Sequence, residues 1–63
     1  MNWKPYPDEA RQVSADFHYG VCRHTNGEWK AWLRVPVMRR IGDWYDNEQQ
    51  AKAACEQHAK ETA

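Results

Sequence analysis

The sequence predicts an α+β fold: a three-stranded antiparallel sheet packed on one face by a C-terminal helix. Apolar and polar residues alternate through Val13–His24 and again through Trp29–Val35, the period of a half-buried strand. Asn26-Gly27 stands between those stretches, and Asn-Gly takes the positive φ that a tight hairpin needs. Near the end, Ala51, Ala54, Cys55 and His58 recur at i, i+3, i+4 and i+7, one stripe of a helix.

Taken in order, residues 1–12 form an extended N-terminal arm and residues 13–63 a single domain of three strands followed by a helix. Pro5 and Pro7 keep the arm extended, and Trp3 and Tyr6 are its expected anchors. Asp8 is placed to cap one helical turn over Asp8–Gln12. The first strand is Val13–His24, with Phe17, Tyr19 and Val21 on one face and His18, Gly20 and Cys22 on the other. The second is Trp29–Val35: Trp29, Ala31, Leu33 and Val35 share one face, Lys30, Trp32 and Arg34 the other. Pro36 ends that pairing. The third strand is Val37–Trp44, with Gly42 a bulge or close-approach point.

Turn length decides how the faces match. A two-residue loop, Asn26-Gly27, pairs His24 with Trp29 and splits the apolar set. A three-residue loop, Thr25-Asn26-Gly27, pairs His24 with Glu28 and puts Phe17, Tyr19 and Val21 beside Trp29, Ala31, Leu33 and Val35. A one-residue slip moves every side chain to the wrong face, so the three-residue loop is expected. The helix is capped by Asp46 or Asn47, with Gln49 or Gln50 three residues on, and Glu48/Lys52 and Glu56/Lys60 stand at favourable i,i+4 spacing.

Composition bounds function. Sixty-three residues make one domain, with eight aromatic residues (four Trp, three Tyr, one Phe) to fill a small core. A catalytic domain or deep substrate cleft does not fit, so no enzyme, small-molecule substrate or cofactor is expected. No apolar run approaches the roughly 18 residues of a membrane span, and Met1–Pro7 lacks the apolar stretch of a signal peptide. The expected location is therefore the cytoplasm, with Cys22 and Cys55 as thiols. Cys22-x-His24 and Cys55-x-x-His58 are zinc-ligand residue types, but the preferred register turns Cys22 and His24 away from the helix, and no metal is expected.

Net charge is zero but unevenly spread. Residues 17–42 carry Arg23, Lys30, Arg34, Arg39 and Arg40 against Glu28, five cations against one anion, whereas both ends are acidic. Lys30, Trp32 and Arg34 share the outer sheet face, with Arg23 alongside and Arg39 or Arg40 near. A Trp among cations suits stacking on a base or packing into a protein partner; covering by the N-terminal arm is the alternative for Trp32.

Tyr19-Gly20-Val21, Gly27, Trp29, Ala31, Leu33-Arg34, Pro36, Gly42, Trp44 and Ala51…Ala54-Cys55 resemble the DNA-binding domain of plant ethylene-response factors. That family has relatives in phage homing endonucleases and in the N-terminal domains of some transposon integrases. The resemblance covers residues 18–58 and runs without a gap from Tyr19 to Pro36. It implies a sheet presented to the DNA major groove and supported from behind by the helix. By position, Arg34 keeps an arginine that the family uses, while Tyr19, Cys22, His24, Asn26, Glu28 and Trp32 stand where the family has other contacting residues. The resulting expectation is a small accessory protein of a phage or other mobile element. It binds DNA through Arg23, Lys30, Trp32, Arg34, Arg39 and Arg40. The alternative is an inhibitor or modulator that binds a host protein, for example in a defence system.

Overall fold

The computed structural model describes residues 1–62. It contains five strands and one helix: β1 (Trp3–Asp8), β2 (Arg11–Ser14), β3 (Tyr19–Arg23), β4 (Trp29–Leu33), β5 (Arg39–Tyr45) and α1 (Glu48–Thr62). The strands form one antiparallel meander in the order β1-β2-β3-β4-β5. The fold is thus α+β, and its sheet is wider than the three strands expected, because the first 14 residues supply two more.

The N-terminal arm is a hairpin rather than a helical turn. Asp8 accepts a hydrogen bond from the Ala10 amide at 2.9 Å, which closes a turn instead of capping a helix. Pro5 and Pro7 lie in β1, an edge strand, where a missing N–H is tolerated. The pairing of β1 with β2 shifts between Pro5 and Asp8.

The expected first strand is split in two. Ser14 ends β2, and its hydroxyl donates to Asp16 Oδ1 at 2.6 Å and accepts from the Tyr19 amide at 3.0 Å. Asp16 also accepts from the His18 amide at 3.0 Å. The Ser14 hydroxyl first, then that amide, hold the Asp16 carboxyl below its ordinary range. The turn places Phe17 at φ 61°, in the left-handed region, and 40% exposed. Phe17 is therefore not part of the core face, contrary to the alternation pattern.

The β3–β4 hairpin has the three-residue loop. The His24 amide donates to Glu28 O at 2.7 Å, and Gly27 sits at φ 90° and donates to His24 O at 2.9 Å. Tyr19 lies opposite Leu33, Val21 opposite Ala31, and Arg23 opposite Trp29. Tyr19, Val21, Trp29 and Ala31 thus face α1, where Ala51 and Cys55 complete the buried core. Trp3, Leu33, Ile41, Tyr45 and Ala59 pack around it. In β5, Gly42 adopts φ 67° within a bulge that shifts the pairing between Trp29 and Ala31. A Cβ at Gly42 would run into the Tyr45 hydroxyl, which donates to Ile41 O.

Asn47 is the helix cap: its side chain accepts from the Gln50 amide at 2.9 Å, while the Gln50 side chain reaches back to the Asp46 amide at 3.1 Å. Lys52 pairs with Glu48 at 3.2 Å, and Gln12 of β2 donates to the same Glu48 at 2.6 Å, tying sheet to helix. Ala51 and Cys55 are fully buried, whereas Ala54 and His58 are half-buried at the margin of the stripe. His58 is hydrogen-bonded with the Tyr19 hydroxyl at 2.9 Å.

Two stability changes follow from this packing. Ala51→Leu overfills the contact between α1 and the sheet and is expected to cost about 1–3 kcal/mol, read from urea titration as a lower midpoint, while Ala53→Leu on the exposed side leaves the stability within about 0.5 kcal/mol. Gly42→Ala forces a Cβ into both the left-handed backbone and the Tyr45 hydroxyl, and a loss of at least about 1 kcal/mol in the same titration is expected.

Candidate outer-face binding site

The helix covers one face of the sheet. The opposite face carries, by strand alternation, Lys4, Arg11, Val13, Gly20, Cys22, Lys30, Trp32 and Arg40. A concavity of about 840 Å³ opens there, lined by Arg11, Val13, Gly20, Lys30, Trp32 and Arg34 among others, with Tyr6 and Pro7 on one side and Met38 on another. Trp32 is half-buried in it. The N-terminal hairpin does not lie over Trp32; it extends the sheet and contributes Tyr6-Pro7 to the lining.

Two clusters of cations and rings flank this concavity. In the first, Lys4 Nζ sits 4.0 Å from the centroid of the Phe17 ring, and the Arg34 guanidinium lies 5.8 Å from Phe17 and 5.9 Å from Tyr6. Tyr6 and Phe17 meet edge to face at 5.7 Å. In the second, Lys30 Nζ and the Arg40 guanidinium lie 4.8 Å and 5.0 Å from the Trp44 ring, whose edge meets His24 at 5.1 Å. All three rings remain open to solvent: Tyr6 is 51% exposed, Phe17 40% and Trp44 40%.

Gly20 is what lets Arg34 lie down on the sheet. A Cβ at Gly20 would stand 3.4 Å from Arg34 Cδ. The stem of Arg34 therefore rests over the glycine backbone, its amide donates to His18 O at 2.7 Å, and its Nη1 is buried without a hydrogen-bond partner. A buried guanidinium nitrogen without an acceptor is costly, because the desolvation of a charged donor goes uncompensated.

Of the six residues expected from sequence, the fold brings Lys30, Trp32, Arg34 and Arg40 together on the open face. Arg39 lies opposite Leu33 and belongs by alternation to the helix-side row; Arg23, opposite Trp29, alternates to that row too, but it ends β3 and lines the concavity, and both are exposed. Lys4, Tyr6, Arg11, Phe17 and Trp44 join the face without having been expected there. Lys4, Tyr6 and Arg11 belong to β1 and β2, which have no clear period in the sequence; Phe17 is carried outward by its turn and Trp44 by the Gly42 bulge.

The zinc-ligand residue types are divided by the sheet. Cys22 alternates onto the open face, whereas Cys55 and His58 belong to the helix side. No cluster of metal-ligating side chains is present among the described residues. Cys55 is fully buried, and burial pushes its thiol up to about 12. No helix of the described residues is long and apolar enough to cross a membrane. Compared with protein-family models, curated proteins and solved structures, the chain shows no match.

The two cysteines, both free, are expected to differ in reactivity. With a disulfide reagent such as dithionitrobenzoate under native conditions, Cys22 reacts and Cys55 does not; the second thiol appears only in denaturant. Rapid release of two equivalents from native protein would contradict the placement of Cys55.

Proposed function

We propose that the chain is a non-catalytic binding module that holds nucleic acid, DNA in the first place, on the open face of its sheet. One observation carries this reading: cations of the open face stand beside exposed aromatic rings, while the segment after Gly42, which includes the helix, is net acidic. Lys4, Arg11, Lys30, Arg34 and Arg40 belong to the open face, against Asp8 and Glu28. The residues after Gly42 carry Asp43, Asp46, Glu48, Glu56 and Glu61 against Lys52 and Lys60. Charge in this molecule of zero net charge is thus unevenly spread, and the local field rather than the total charge steers a polyanion. The resemblance to a sheet-presenting DNA-binding family points the same way, with Arg34 as the shared arginine.

A second reading rests on the β4–β5 connection. Val35, Val37 and Met38 are exposed there, and Met38 reaches the concavity. Apolar side chains at the rim of a basic groove also suit a host protein that this chain inhibits or modulates. A pull-down with and without nuclease separates the two: a stoichiometric protein that survives nuclease supports the second reading.

Affinity for nucleic acid is expected to fall with salt, each phosphate contact adding a slope of roughly −0.9 for duplex and −0.7 for single strands in log K against log salt. Arg34→Ala lowers both affinity and slope. Trp32→Ala lowers affinity and leaves the slope nearly unchanged, because Trp32 contributes contact area and no charge. Titrations at three salt concentrations on wild type and both variants check this. Absence of binding at low salt would remove the nucleic-acid reading.

A further inference from the structure

We infer that the open face is built for a single strand of nucleic acid, whose bases stack on Phe17, Tyr6 and Trp44 while its phosphates meet the cations beside those rings. The inference rests on the nucleic-acid reading above and deepens it by naming the form of the polymer.

Shape is the first argument. A protein that reads the major groove of a duplex inserts a convex element, a helix or a two-stranded ribbon, between the phosphate walls. Here the open face holds a concavity of about 840 Å³ whose lining includes Gly20, Val13, Tyr6, Pro7 and Met38. A concave basic face accommodates one flexible strand, unlike the sheet of the resembled family, which is presented to the major groove.

The pairing of groups is the second argument. In a duplex the base faces are stacked on one another, so exposed rings on the protein find no partner. In a single strand each nucleotide offers a flat face and a phosphate a short distance apart. The face repeats the complementary unit twice: Phe17 and Tyr6 with Lys4 and Arg34, then Trp44 with Lys30 and Arg40. The rings' present cationic neighbours are long, flexible side chains that can turn from ring to phosphate. Trp32 and Gly20 lie between the two units, opposite each other on β4 and β3. Phe17 belongs to the β2–β3 connection and Tyr6 to β1, whereas Trp44 belongs to β5, a separation of roughly 12 to 19 Å at about 4.8 Å per strand. A strand crossing the sheet from one unit to the other would cover about four nucleotides, at the lower end for sheet-based single-strand sites.

Phe17 is the third. Its backbone occupies the left-handed region, which costs a bulky residue free energy, and the Ser14–Asp16–His18 hydrogen bonds hold it there. The result is a phenyl ring carried out of the core and displayed beside Tyr6. Packing does not require it, since the core closes without Phe17.

The test uses the whole chain and four probes about 12 nucleotides long: oligothymidylate, oligouridylate, an abasic strand with the same phosphates, and a duplex. Tryptophan fluorescence and anisotropy of a labelled strand report binding. The expected result is that thymidylate or uridylate binds at least about tenfold more tightly than the abasic strand or the duplex, the tighter of the two naming the sugar preferred. Phe17→Gly and Trp44→Ala each weaken the thymidylate or uridylate complex by roughly 5- to 150-fold and leave the abasic complex unchanged. Glycine suits the left-handed backbone at position 17, so loss of binding there reports the ring and not the fold. Equal or tighter binding of the duplex overturns the single-strand inference and leaves the nucleic-acid reading standing. Equal binding of the abasic strand overturns the stacking. Failure of all four probes at low salt removes the nucleic-acid reading itself.

Discussion

The register of the β3–β4 hairpin governs everything else in this molecule. Three residues, Thr25-Asn26-Gly27, connect the strands, with Gly27 at φ 90° and the His24 amide bonded to Glu28 O. Side chains alternate along a strand, so this one turn decides which half of ten residues faces the helix. It sends Tyr19, Val21, Trp29 and Ala31 inward against Ala51 and Cys55. It sends Cys22, Lys30 and Trp32 outward with the same necessity. Core and candidate site are therefore two faces of one register, and neither can change without the other.

The helix sits close to the sheet because its contact residues are small. Ala51 and Cys55 are fully buried against Val21 and Ala31, and a larger aliphatic side chain at either helix position would lift α1 off the strands. Hydrogen bonds then fix the orientation: Gln12 to Glu48 near the helix N-terminus, and Tyr19 with His58 towards its C-terminus. The main core is completed from the helix side, and on the other face Val13 is the buried apolar residue. That face is free to collect cations and rings, and Gly20 leaves room for the stem of Arg34 to lie flat across it.

The edges of the sheet are handled by the same economical means. β1 carries Pro5 and Pro7 and a pairing shift, while β5 carries Arg39, Arg40 and the Gly42 bulge. Prolines, charges and bulges at edges oppose strand addition from a second molecule. The bulge also turns Trp44 towards Lys30 and Arg40, so a device that finishes the sheet supplies one of the two aromatic clusters of the open face.

Local chemistry determined the hairpin, its loop length, the helix and its cap region, because each depends on residues close together in sequence. Asn26-Gly27, the alternation from Tyr19 to Cys22 and from Trp29 to Arg34, and the spacing of Ala51 and Cys55 were all legible there, and they placed Lys30, Trp32 and Arg34 on the face opposite the helix. Tertiary structure decided the rest. Residues 1–14 have no clear period, since one strand carries two prolines and the other places buried Gln12 and Ser14 on the inner face, so only pairing with β3 makes them strands. Phe17 alternates with the core in the sequence, yet the Ser14–Asp16 turn outweighs that pattern and moves the ring outward. Arg39 shares the sequence neighbourhood of the open face, and strand pairing puts it on the other side, while Arg23, in the same row by alternation, still reaches the concavity from the end of β3. A side chain's face is set by its cross-strand partner, and for these residues that partner is distant in the chain.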